Sequence, residues 1–151
     1  SKAVLMYDYN FKLERVVDAD SLRGSLDLGL NVWLHNVDLR LFAIDAPETR
    51  SRDKMHKRHG LTAKKYVEDM LEVGTTYRVK TYKDTRGKFG RILAKVYHRG
   101  ITTRCLNEEL CLKHLAVPYH GASKDDVKKA HKSALKALLA AKKIPLVELK
   151  K

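Results

Sequence analysis

Residues 37–48 constrain this chain more than any other stretch. Val37, Leu39, Leu41 and Ala43 alternate with Asp38, Arg40 and Phe42. A period of two predicts a strand with one face in a core. Arg40 then projects from the opposite face, available to a ligand. The alternation breaks into Asp45, Ala46, Pro47 and Glu48, an Ala-Pro turn set between two carboxylates. Arginine binds phosphate through a planar fork of donors, and aspartate holds hard cations through oxygen. A nearby glutamate is placed to take a proton from water.

Two further fragments carry related chemistry: RVVDADS at residues 15–21 and GKFGRILA at residues 87–94. Asp18 and Asp20 share one face if the strand before them stays extended. With RLFAIDAPE, these fragments make residues 15–115 resemble the staphylococcal nuclease (thermonuclease-like) family. RVVDADS is similar to the family's Val-Ile-Asp-Gly-Asp-Thr segment, with Ala19 in place of its glycine. GKFGRILA is similar to Asp-Lys-Tyr-Gly-Arg-x-Leu-Ala, with Gly87 for the acid and Phe89 for the tyrosine.

The resemblance implies a metal-dependent nuclease acting on DNA and/or RNA. Its metal site would be Asp20, Asp45 and the backbone carbonyl of Ala46, holding one calcium ion, with Asp18 in support. The ligand types alone leave magnesium and manganese open. The implied catalytic residues are Arg40 and Arg91 on the phosphate and Glu48 as general base. Lys88 and Tyr119 are the implied substrate-binding residues. The family releases the 5′-oxygen and leaves 3′-phosphate ends. LNEEL at residues 106–110 is similar to Val-Asn-Glu-Ala-Leu, which is structural in the family.

Charge agrees with a polyanionic partner. Lys and Arg outnumber Asp and Glu by 31 to 18, a net +13, which steers phosphate-rich ligands toward the chain. The 151 residues, 44% of them hydrophobic and 32% charged, suit one globular domain over residues 1–151 rather than a disordered chain. No apolar run reaches the roughly 18 residues of a membrane span. No secretory h-region opens the chain, and no membrane partner is expected. A monomer is expected.

Cys105 and Cys111 are the only cysteines. On a helix they stand about 240° and roughly 9 Å apart, beyond disulfide reach. Both read as small apolar packing residues, which suits a reducing compartment and leaves export open.

Along the chain, residues 7–17 read as a strand, residues 23–29 as a hairpin region, and residues 31–35 as a short strand with Trp33 in the core. The polar run 50–59 reads as a loop beside the site. His56 and His59 within it read as basic-loop residues rather than a metal pair, since neither Cys nor a third His accompanies them. Residues 60–73 carry the helical stripe Ala63, Val67, Met70 and Leu71, stopped by Gly74. Strands follow at 75–83 and 91–97 around a turn at 84–88, then a short helix at 106–112. Ser123 caps a last helix whose apolar stripe is Val127, His131, Ala134, Leu135 and Leu138. His131 reads as a packed histidine, and the tail around Pro145 as frayed.

The expected architecture is α+β: a five-stranded OB-fold β-barrel with three helices. The rival expectation is an OB module that binds single strands without chemistry. A third is a basic protein-interaction domain.

Overall fold

The computed structural model describes residues 6–83, 91–98 and 104–150. Five strands close a barrel in the order β1-β2-β3-β6-β5. They are β1 Met6–Asp18, β2 Ser21–Asp27, β3 Trp33–Leu41, β5 Thr76–Tyr82 and β6 Arg91–Tyr97. A two-stranded ribbon, β4 Ile44–Asp45 with β7 Val117–Pro118, stands apart from the barrel. Three helices complete the fold: α1 Lys54–Met70, α2 Leu106–Leu112 and α3 Lys124–Ala141. This is the expected OB-type α+β architecture. No helix among the described residues is long and apolar enough to cross a membrane.

Alternation builds the barrel wall. Phe11, Leu13 and Val16 of β1 face Leu22 and Leu26 of β2 and Val37, Leu39 and Leu41 of β3 in one core. Register shifts between Leu13 and Arg15 and between Val16 and Asp18 bend β1, as bulges do, so one long strand lies against both β2 and β5. Gly24 lies inside β2 rather than in a turn: a Cβ there would stand 2.1 Å from the Lys12 carbonyl oxygen and 2.7 Å from the Phe11 ring. The missing side chain admits Phe11 to the barrel interior. The hairpin turn falls later, around Gly29.

β3 and β6 close the barrel as a parallel pair, from Asp38↔Arg91 to Leu41↔Ala94. The first half of β3 precedes this seam and, among the described residues, pairs with β2 but not with β6. Trp33 is therefore exposed, as are Leu30 and Leu34, which corrects its assignment to the core. Ala43 also departs from the alternation. The strand ends at Leu41, and Ala43 turns into the left-handed region at φ 64°.

α1 begins earlier than its apolar stripe. Asp53 caps it by accepting from the His56 backbone N–H at 3.1 Å, so residues 54–59 are helical rather than a loop. Ser123 caps α3 from Asp126 N at 3.2 Å, as expected. The tail is docked, not frayed. Val147 N donates to Thr62 Oγ1 at 2.9 Å, Arg58 Nε donates to the Val147 carbonyl at 3.0 Å, and Ile144 and Leu146 pack against the core. Both cysteines are free, and burial pushes the Cys111 thiol up to about 11.

α2 is bound to the barrel by one amide. Asn107 Nδ2 donates to the carbonyls of Phe42 at 2.9 Å and Ala94 at 3.0 Å, and its Oδ1 accepts from Val96 N at 3.2 Å. Beside it, Glu109 accepts from the Tyr66 hydroxyl of α1 and pairs with His98 Nε2 at 2.8 Å. Burial works to raise the Glu109 pKa, but Tyr66 and His98 outweigh it and hold the carboxyl below its ordinary value. A depressed folded-state pKa contributes stability that is complete above the ordinary carboxylate range. That stability is lost as pH falls through the depressed value.

Two stability predictions follow from α2. Asn107→Ala removes the amide partner of the Phe42 carbonyl and of the Val96 N–H, while the Ala94 carbonyl keeps the Phe42 N–H, and should cost about 2–3 kcal/mol in urea denaturation. Glu109→Gln should cost about 1–2 kcal/mol at neutral pH, and this penalty should shrink as pH falls below the ordinary carboxylate range and through the depressed value. A penalty that persists in acid would show that packing, not charge, holds α2 there.

Candidate functional site

The site forms where three distant segments meet one guanidinium. Arg40, flanked by the buried Leu39 and Leu41, points away from the barrel core as the alternation requires. Its Nη1 pairs with Asp20 Oδ2, and its Nη2 lies 3.0 Å from Asp45 Oδ1 and 3.3 Å from the Ile44 carbonyl oxygen. Burial opposes the charged form of Arg40. The Asp20 carboxylate, joined by that of Asp45, overcomes this and raises its pKa.

Each carboxylate is also held by other donors. Asp20 is buried, accepting from the Ala46 N–H at 2.8 Å on Oδ2 and from Ser21 Oγ at 3.0 Å on Oδ1. Its own carbonyl accepts from Leu41 N at 2.8 Å. Asp20 follows the end of β1, in the turn to β2, so it does not share a strand face with Asp18. Asp18 instead accepts from Thr49 Oγ1 at 2.9 Å. Ala19 stays out of the left-handed region, so an alanine stands there without strain. Asp45 Oδ2 accepts from His131 Nε2 at 2.7 Å. Burial acts to raise the Asp45 pKa, but His131 and Arg40 together drive it down.

A pocket of about 160 Å³ opens beside this network, lined by Arg40, Ala43, Asp45, Arg91, Leu93 and Tyr119, among others. Arg91 arrives because β6 runs beside β3. Tyr119 arrives because β7 pairs with β4, and its N–H donates to the Ala43 carbonyl at 2.8 Å. The left-handed turn at Ala43 therefore lets β4 and its partner fold back toward the strand that carries Arg40.

Glu48 does not line this pocket. It is exposed, and its charge reaches His56. Its backbone is fixed by α1: a Cβ at Gly60 would stand 2.4 Å from the Glu48 carbonyl oxygen and 2.8 Å from that of Pro47. A glycine inside the helix lets α1 lie directly on the segment bearing Glu48. Lys88 lies outside the described residues, as do Gly87, Phe89 and Gly90.

Among the described residues no group of three or more His, Cys, Asp and Glu side chains gathers as a metal cluster. The oxygens that fit a hard divalent cation by chemistry are those of Asp20 and Asp45, which converge on a single positive group. In this structure that group is the Arg40 guanidinium. His56 and His59 do meet a third histidine, His131 of α3, with ring centroids 5.6 Å and 6.4 Å away. Burial, assisted by His131, pushes the pKa of His56 down. Burial also lowers that of His59.

The profile of the family described as staphylococcal nuclease homologue matches residues 38–144. That is more than half of the chain, and the chain belongs to this nuclease-type family. The matched span holds the end of β3, both arginines of the pocket, Asp45, Glu48 and all three helices. Asp20 and the β1–β2 hairpin precede it. No curated protein gives a significant match to the chain.

Gly60 supplies a prediction with an inverted sign. In an open helix, glycine to alanine stabilises by about 1 kcal/mol. Here Gly60→Ala should destabilise by about 1–3 kcal/mol, because the methyl group meets backbone. Urea denaturation measures it, and a gain in stability would show that the Pro47–Glu48 backbone yields.

Proposed function

We propose that the chain is a divalent-metal-dependent phosphodiesterase that hydrolyses DNA and/or RNA, with calcium as the first ion to test. The observation that carries this reading is the pocket that places Arg40, Asp45, Arg91 and Tyr119 together, with Asp20 joined to it through Arg40. Family membership and the +13 charge point to the same substrate class. The pocket is smaller than the several hundred Å³ of a typical small-molecule cleft, which suits one phosphate group rather than a whole nucleotide.

In this proposal Asp20, Asp45 and the Ala46 carbonyl hold the cation. A bound cation would polarise the phosphate and lower the pKa of an attacking water. Arg40 releases the two carboxylates and turns its fork to the phosphate, facing Arg91 across the pocket. Two guanidiniums then meet the charge that builds on the phosphoryl oxygens. Glu48, which stands outside the pocket in this structure, turns toward it to take the proton from water, and Tyr119 offers its ring to the nucleoside beside the phosphate. Lys88 adds a phosphate contact.

A second reading, a single-strand-binding module without chemistry, has a specific observation in its favour. Every carboxylate oxygen of Asp20 and Asp45 already accepts from a protein donor. The two readings separate on incubation with single-stranded DNA in calcium or in chelator. Cleavage in calcium and its loss in chelator support the nuclease. Full cleavage in chelator removes the metal. Salt-sensitive binding with no cleavage in any divalent ion favours the module.

Variants sharpen the assignment. Glu48→Gln should lower turnover by about 10²–10⁴ while keeping affinity for the strand. Arg40→Met should bind calcium more tightly than the wild type, because the guanidinium no longer competes for the two carboxylates, and should lose turnover. Unchanged calcium affinity in Arg40→Met, read by titration calorimetry, would overturn the shared site.

A further inference from the structure

We propose that His131 is a positioning residue of this site, and that through it α3 sets which oxygen of Asp45 is presented to the cation and the phosphate. The inference rests on the phosphodiesterase reading. It starts from how little the backbone supports Asp45, whose other side-chain partner, Arg40 at 3.0 Å, is the group that leaves it in that reading. Asp45 lies on a strand of two residues whose one partner is the equally short β7. A carboxylate turns easily about its last torsion, which has a broad, two-fold profile. Something other than the backbone must hold it.

His131 has the geometry to do so. It is 4% exposed and stands on the buried stripe of α3 between Val127 and Ala134. A carboxylate only accepts, so the 2.7 Å contact places a proton on Nε2. The other ring nitrogen, Nδ1, is buried and has no hydrogen-bond partner among the described residues. The ring therefore has one polar engagement, and it is Asp45 Oδ2. Edge contacts from His56 and His59 of α1 hold the imidazole in place. His59 is itself anchored through Nε2 to the His114 carbonyl at 2.8 Å. With Oδ2 taken, Oδ1 is the oxygen left on the Arg40 side. Donors behind a ligating carboxylate commonly tune metal affinity in this way.

A histidine that only fills the core predicts something different. Its removal would lower stability but leave the properties of the folded site unchanged. The test compares His131→Leu, which removes the donor, with His131→Gln, whose side-chain amide reaches about as far as the ring Nε2. Calcium affinity is read by calorimetry with the metal alone, and kcat and KM are read separately on single-stranded DNA. His131→Leu should lose about 10–100-fold in calcium affinity and in kcat, with KM for the strand nearly unchanged. His131→Gln should recover most of both. A folded His131→Leu protein with wild-type calcium affinity and kcat would overturn the proposal.

A second measurement covers a leucine variant that does not fold, and a wild type that neither binds calcium nor cleaves. Long-range ¹H–¹⁵N spectra of the wild-type imidazoles should show His131 as a single Nε2–H tautomer, and its signal should move in Asp45→Ala. An Nδ1–H tautomer, or two in exchange, would overturn the positioning of Asp45. An inactive wild type with the Nε2–H signal would instead sink the phosphodiesterase reading and leave the ring's hold on Asp45 standing.

Discussion

The Arg40 guanidinium is the interaction on which the rest of this site depends. Through it the turn after β1, the end of β3 and the short strand β4 are drawn to one point. The buried Asp20 and half-buried Asp45 carboxylates would repel each other without a cation between them, and removing one partner of such a network is costly. The same guanidinium lines the pocket of about 160 Å³. One side chain therefore both ties the network together and lines the pocket, and any positive group that enters between Asp20 and Asp45 must exchange with it.

Around that centre the fold supplies fixed supports from outside the barrel. Asn107 attaches α2 to the carbonyls of Phe42 and Ala94 and to the N–H of Val96. It holds the exit of β3 beside β6 at the height where Arg40 leaves the sheet. Gly60 brings α1 against the backbone of Pro47 and Glu48. His131 brings α3 against Asp45. Each helix thus touches the segment between residues 42 and 48 through one specific contact. Burial of apolar area explains why the helices cover the barrel, but these polar and steric contacts set their position at the site.

The parts of this arrangement that were legible in the sequence are those with a local signature. The alternation from Val37 to Leu41 placed Arg40 on the outer face, and Ser123 with Asp126 marked the start of α3. Period marks β1, the second half of β3, β5, β6 and the stripes of α1 and α3, whereas β2 reads only as a hairpin region and the OB barrel comes with the family resemblance. The start of α1 was hidden because residues 54–59 are polar and basic. Their helix is set by the Asp53 cap and by contacts of His59 and Gly60 with distant backbone, not by an apolar stripe. Trp33 was misplaced because period alone does not show where a strand leaves its barrel. The tail looked frayed after Pro145, yet Ile144 and Leu146 find apolar surface and Val147 finds Thr62. His131 sat on an apolar stripe and read as packing. Its partner is Asp45, 86 residues away, and no spacing rule spans such a gap.

The seam between β3 and β6 carries a further consequence for how the protein comes to exist. Arg40 and Arg91 lie on the two strands that meet only there, and the pairing runs over four positions, Asp38 to Leu41 with Arg91 to Ala94. Contacts so far apart in the chain bear a large loop-closure entropy and form slowly compared with hairpins. The β1–β2 and β2–β3 hairpins are local and can assemble without the seam. A chain caught at that stage would have much of its sheet but no pocket beside Arg40, since one wall of the pocket has yet to arrive. Barrel closure and the birth of the pocket are thus the same event, and a partly folded molecule has no half-formed version of it.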